Sequence, residues 1–167
     1  MSNKWDVELL SELEEVCRKI GFEPRTEDFD GKKVLVLEYE GEFACEDCNL
    51  TVDTLEENVK AISLLFTLKS ALDEKQSREV AKLLPYLNKY LSFGAFTVME
   101  EYGFFSFSAS FVVRENEDKE IILNSVGTAL ALGLVTTGEA LEITLPLING
   151  EATAEELMNG DSVIYQF

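Results

Sequence analysis

Residues 104–113 read FFSFSASFVV. Phe105, Phe107, Ala109, Phe111 and Val113 fall at every second position, and Ser106, Ser108 and Ser110 fill the gaps. Period-two alternation sends the two sets to opposite faces of a strand, so this segment needs an apolar cover on one side and tolerates water on the other. That requirement constrains the fold more than any other feature of the chain. It calls for an antiparallel sheet with one face packed beneath helices. The preceding residues 96–103, FTVMEEYG, supply a hairpin partner turning around Glu100 to Gly103. A phenylalanine face can stack nucleobases, but few Arg or Lys accompany this one, and core packing is the expected use.

The other segments supply strands and covers. Residues 3–20 have helical spacing, with Leu9, Leu13, Val16, Cys17 and Ile20 on one face, Ser2 or Asn3 as cap and Gly21 as stop. FEPRTEDF (22–29) reads as a short edge strand, Asp30-Gly31 as a hairpin turn, and 33–40 as a strand with Leu35, Leu37 and Tyr39 on one face. Glu40-Gly41 suggests another turn, leading to a weaker strand from Phe43 to about Val52. Residues 59–70 alternate again through Ile62, Leu64, Phe66 and Leu68.

Residues 77–94 return to helical spacing with Val80, Leu83, Leu84, Leu87 and Leu91. Pro85 predicts a kink or a later start, and Gly94 the stop. A long helix is predicted from Lys119 to about Asn149. Ile122, Val126, Ala129, Gly133, Ala140, Ile143 and Leu147 keep its stripe, and Leu130, Leu134, Leu141 and Leu145 widen the apolar band. Thr153 to Glu156 form a capping box for a last turn ending at Gly160. With no repeat and no linker, residues 1–167 read as one α+β domain. Its antiparallel sheet has five to six strands packed with helices, in the order α-β-β-β(-β)-α-β-β-α.

Charge and composition narrow the function. Net charge is -18, with 17 acids against 7 bases in residues 1–60, five of each in 61–112, and ten against two in 113–167. Such a balance repels phosphates and anionic lipid head groups and suits a basic protein partner; a merely solvated acidic surface is the plainer reading. The N-terminal residues lack the pattern of a signal peptide. Residues 121–148 are interrupted as an apolar run by Asn124, Ser125, Glu139 and Glu142. A soluble cytoplasmic protein without nucleic-acid or membrane partners is expected. The chain has no histidine, which excludes His-based triads and His-ligated metals. No glycine-rich phosphate loop appears. Close acid pairs such as Glu100–Glu101 are inevitable at this composition, and Asp28-x-Asp30-Gly31 fails the remaining positions of a calcium loop. No catalytic, cofactor-binding or metal-ligating residue is assigned.

Cys45 and Cys48 form a single Cys-x-x-Cys. Without a second pair or a histidine it cannot complete a tetrahedral zinc site, and its acidic neighbours raise thiol pKa values. In an extended strand the two sulfurs point to opposite faces. Inert thiols are expected, unless a turn at Glu46-Asp47 brings them together.

The segment LLPYLNKYLSFGAFTVMEEYGFFSFSASFVV (83–113), with Asn88 ahead of Phe93-Gly94-Ala95-Phe96 and a long apolar helix after it, resembles the YbjN family. That family shares the fold of type III secretion chaperones. The resemblance implies a non-enzymatic, acidic, cytoplasmic bacterial module that binds a protein client or regulatory partner, and a possible homodimer. Leu130, Leu134, Leu141 and Leu145 are the candidate contact residues, as a dimer seam or client groove, unless the helix is simply buried in the core. Alternatives are a small-ligand sensor with an apolar pocket between sheet and helix, an acidic nucleic-acid mimic, and a carboxylate-dependent hydrolase or isomerase.

Overall fold

The computed structural model describes residues 4–39, 45–89 and 91–159, with side chains from Glu8 onward. In chain order the elements are α1 (Lys4–Ile20), β1 (Phe22–Phe29), β2 (Lys32–Tyr39), β3 (Asp47–Glu56), β4 (Val59–Lys69), α2 (Glu74–Lys89), β5 (Ala95–Met99), β6 (Phe104–Arg114), α3 (Lys119–Ile148) and α4 (Ala154–Asn159). The strands form one six-stranded antiparallel sheet in the order β1-β2-β3-β4-β6-β5. The fold is the expected α+β arrangement, with six strands and a short α4 after the long helix.

Alternation decides which face is covered. On β4, Ile62, Leu64, Phe66 and Leu68 are buried, while Ser63, Leu65 and Thr67 lie on the other face. The register sets Phe66 opposite Phe107 and Leu64 opposite Ala109, so aromatic and aliphatic rows align across the central strands. The rings of Phe66 and Phe107 are 6.0 Å apart, and those of Phe96 and Phe107 are 5.0 Å apart. The opposite face carries small hydroxyls instead: Ser63 and Ser110 are bonded across the strands at 2.9 Å, and Thr97 and buried Ser106 at 3.0 Å. The β1–β2 turn is the expected Asp30-Gly31 pair, both residues at positive φ (53° and 80°), which suits the twist of a two-residue hairpin.

Three helices cover the apolar face. α1 packs on β1 and α3 through Leu9, Leu13 and Cys17, α2 packs on β5 and α3 through Val80, Leu83 and Leu87, and α3 lies between them. Small residues let α3 come close. A Cβ on Gly133 would stand 2.6 Å from the Phe66 ring, and one on Gly127 would stand 3.2 Å from Val16 of α1. Buried Thr137 and Thr144 satisfy their hydroxyls by donating to the carbonyls of Gly133 (2.7 Å) and Ala140 (2.8 Å) one turn back.

Several boundaries differ from the sequence expectation. α2 starts before Ser77, because Asp73 and Gln76 cap it reciprocally: Gln76 N–H donates to Asp73 Oδ1 (2.8 Å), and Asp73 N–H donates to Gln76 Oε1 (2.7 Å). It runs through exposed Pro85 without restarting, and residues 91–94, which the spacing placed in the helix, lie outside it. β3 starts at Asp47 and continues past Val52 to Glu56. The cap at Ser2 or Asn3, the turn at Glu40-Gly41, the strand start at Phe43 and the stop at Gly160 lie outside the described residues.

Asn88 fixes the position of β5. Its Nδ2 donates to Phe96 O (3.0 Å) and its Oδ1 accepts from Phe96 N–H (2.7 Å), so one amide side chain stands in for a neighbouring strand on the sheet edge. Immediately before β5, Gly94 sits at φ 66°, and a Cβ there would lie 2.6 Å from Ser108 O. Only glycine lets the chain turn away from β6 at that point.

Two tests follow from this packing. Gly133→Ala should destabilise by about 1–3 kcal/mol, because the Phe66 ring has nowhere to move. Gly138→Ala, which meets nothing within 4 Å, should stabilise by about 0.5–1 kcal/mol through helix propensity; urea midpoints of the two variants read the opposite signs. Asn88→Ala leaves the edge groups of Phe96 unpaired and should cost about 1–3 kcal/mol, with faster amide exchange at Phe96.

Candidate functional site

Three places in the described structure merit comparison with the sequence candidates: the cysteines, an acidic cleft and the outer face of α3. The expectation that Cys45 and Cys48 diverge does not hold. The chain bends at Cys45–Glu46 before β3 begins, so both thiols turn to the buried side. Glu46 fixes the bend. Its N–H donates to Thr67 O (2.8 Å), and its carboxylate accepts from Lys69 Nζ (2.5 Å) and Ser70 N–H (2.7 Å). Cys17, Cys45 and Cys48 are all buried and none is in a disulfide.

Burial pushes the Cys17 thiol up to about 12 and Cys45 up to about 11, the latter partly offset by a hydrogen bond with Thr137. Cys48 is raised well above the ordinary thiol range by burial and then by the neighbouring Cys45 and Cys17. All three sulfurs thus share one neighbourhood on the covered side of the sheet, as neutral thiols without nucleophilic character at pH 7. Among the described residues no group of three or more Cys, Asp or Glu is placed to hold a metal ion.

A second feature is an acidic cleft of about 310 Å³ where the start of α2, the end of α3 and the start of α4 meet. Its carboxylates cap helices. Glu79 Oε2 accepts from Ala154 N–H (2.8 Å) while its other oxygen takes Lys82 Nζ (2.5 Å), and Glu156 Oε2 accepts from Thr153 N–H (2.7 Å). Gln76 Nε2 donates to Ile148 O (2.6 Å), tying the start of α2 to the end of α3. The hydrogen bond from Lys82, then that from Ala154, holds Glu79 below the usual carboxylate range, and the Thr153 backbone does so for Glu156. A general acid needs the opposite shift. The cleft is a joint between three helix ends.

The third feature is the outward side of α3. Of the four candidate leucines, Leu130 is fully buried in the chain's own core, Leu134 and Leu141 are half-buried against it, and Leu145 is exposed. Leu130 is therefore corrected from contact residue to core residue. The large exposed apolar side chains of the helix are Ile121 (65%), Leu132 (45%), Val135 (58%) and Leu145 (46%). Ile121, Thr128, Leu132 and Val135 fall at i, i+7, i+11 and i+14, a second stripe that was legible in the sequence as a run without charge between Glu120 and Glu139. By length and composition alone α3 could cross a membrane, but a third of its most apolar window is buried in this fold.

Beside the N-terminal half of α3 lies an open groove of about 470 Å³, floored and walled by Phe93, Phe111, Ile121, Thr128 and Leu132. Between sheet and helix, where an apolar ligand pocket was the alternative, Gly133 rests on Phe66, and the Phe66 and Phe107 rings pack 6.0 Å apart.

The buried thiols and capping acids predict opposite pH limits. Folding raises the thiol pKa values from 9.0, so their contribution is complete below pH 9 and is lost as pH rises through 11 to 12. Folding lowers Glu46, Glu79 and Glu156 from 4.5, so their contribution is present above pH 4.5 and is lost on acidification below it. For Glu46 the hydrogen bonds from Lys69 and Ser70 outweigh burial, which acts the other way. Denaturation midpoints against pH should show a plateau between these limits. Disulfide-exchange reagents at pH 7 should label native thiols at least about a hundredfold more slowly than unfolded ones.

No family model and no curated protein matches the chain. The structure is similar to the crystal structure of an uncharacterized protein from Methanothermobacter thermautotrophicus, with 13% sequence identity and a TM-score of 0.46, over 86% of this chain and 98% of that one.

Proposed function

We propose that this chain is a non-enzymatic protein-binding module, chaperone-like or regulatory, that holds a segment of a basic partner protein against the outer face of α3. The observation that carries the reading is the exposed stripe of Ile121, Leu132 and Val135 on a helix surface with no charge from Ile121 to Gly138. Contiguous exposed apolar surface of this kind marks interaction sites. The net charge of -18 selects for basic partners and keeps the apolar stripe soluble. Three free buried cysteines suit a reducing compartment, which fits a cytoplasmic protein. The resemblance to YbjN-like and type III secretion chaperone-like proteins points the same way.

The competing readings fare worse on particular residues. A carboxylate hydrolase needs a shielded, raised acid, whereas Glu46, Glu79 and Glu156 are held low. A nucleic-acid mimic needs its acids along one ridge. Here Glu12 on α1 pairs with Lys119, Glu46 with Lys69, Asp53 with Lys32 and Glu79 with Lys82, each on a different part of the fold.

Suppression of aggregation of reduced lysozyme, a basic client, tests the reading by light scattering. The wild type should suppress scattering near stoichiometric ratios, less well as salt is raised. A double variant carrying Leu132→Glu and Val135→Glu should need at least about tenfold more protein, with an unchanged circular dichroism spectrum. Equal potency of the variant would refute the assigned surface.

A further inference from the structure

β6 is longer than the strand that covers its outer edge. β5 pairs with it only from Ala95 opposite Ser108 to Met99 opposite Phe104. Because Asn88 takes both backbone groups of Phe96, those groups point away from β6, and the alternation of an antiparallel strand aims those of Ala95, Thr97 and Met99 toward it. Their partners Ser108, Ser106 and Phe104 therefore face β5. Along β6 the same alternation turns the backbone groups of Ser110 and Val112 to that side, beyond the point where Gly94 takes the chain away. Among the described residues no strand covers them. The outer groove lies directly beside this bare edge, with Phe111 of β6 and Ile121, Thr128 and Leu132 of α3 on its walls.

Resting on the protein-binding reading above, we infer that the bare edge of β6 and the α3 groove together form a docking site for an extended, basic peptide segment that adds to the sheet as a strand in line with β5. The N–H and C=O groups of Ser110 and Val112 would bond the guest backbone, and alternate apolar side chains of the guest, opposite Phe111, would enter the groove. Charge selects the occupant. The groove itself is uncharged, and its far end, where β6 passes to α3, carries exposed Glu115, Glu117, Asp118 and Glu120 against Arg114 and Lys119. Lys119 is already paired with Glu12 of α1, and Arg114 with Glu117 at 3.6 Å. A strand antiparallel to β6 sets its N-terminal end there, so the basic residues belong at the guest's N-terminus. A second copy of this acidic chain lacks that complementarity.

The probe is a fluorescein-labelled peptide, Lys-Arg-Thr-Val-Thr-Val-Thr, titrated by anisotropy at low salt. Replacing Lys-Arg by Glu-Glu should weaken it at least about tenfold. N-methylation of the threonine amides removes the donors aimed at β6 and should abolish binding, while N-methylation of the valine amides should leave it within about threefold. Amide exchange at Ser110 and Val112 should slow on binding. Val112→Pro, which removes an edge donor outside the β4 ladder, should lose the peptide yet still suppress lysozyme aggregation through α3. Equal binding of both N-methylated series overturns the strand-addition site. So does protection of Ser110 and Val112 that grows with protein concentration alone, which identifies a second copy, or a tenfold gain on removing residues 160–167, which identifies the chain's own end. Failure of the peptide with aggregation suppression intact refutes this site alone; failure of both refutes the protein-binding reading.

Discussion

Gly133 lies on the ring of Phe66, and that contact sets how close α3 comes to the sheet. Interiors pack at crystal-like density, so a helix 30 residues long cannot sit flat on a row of phenylalanines unless its own surface is shallow there. Ala129, Gly133, Thr137 and Ala140 provide that seam, with the one hydroxyl among them bonded back into the helix. The bulky residues are displaced to the flanks and the outer side. The same small-residue seam that closes the core leaves Leu132 and Val135 facing outward and holds Ile121 and Thr128 beside β6.

Alternation in β4 and β6 was legible because it serves one purpose, one face in and one face out, and the register follows it residue by residue. The long helix was harder to read. Periodicity shows which residues share a face, but when apolar residues occur around most of the circumference it does not show which face meets the sheet. Leu130 and Val135 look alike in sequence; one is fully buried and the other mostly exposed. The start of α2 carried a signal, Asp73-Glu-Lys-Gln76, which competed with the stronger apolar spacing that begins at Val80. Cys45 and Cys48 resisted reading because a bend held by Glu46, Lys69 and Ser70 reversed the direction that strand geometry assigns to Cys45. Those partners lie more than twenty residues away, beyond any local pattern.

Features that look incidental one by one combine at this edge of the sheet. Asn88 blunts the outer edge of β5 as natural sheets do, with a side chain in place of a strand. The protection stops at Gly94, and the second half of β6 has no such device among the described residues. An unprotected edge beside an apolar groove is a hazard for a chain that has no use for it. In a chain of net charge -18 the hazard is limited, because self-association brings acidic surfaces together. Acidity therefore supports both the solubility of the exposed edge and the preference for basic guests proposed above.

The most direct measurement is a nuclear magnetic resonance study of isotope-labelled protein with the unlabelled basic peptide, reading cross-strand contacts between their α-protons. Strand addition predicts contacts from the peptide to the flanking residues Ala109, Phe111 and Val113, the positions where an antiparallel neighbour places α-protons closest, with peptide valine methyls touching Ile121 and Leu132. Peptide contacts confined to another surface, or the same β6 contacts arising between two copies of the chain without peptide, would contradict it.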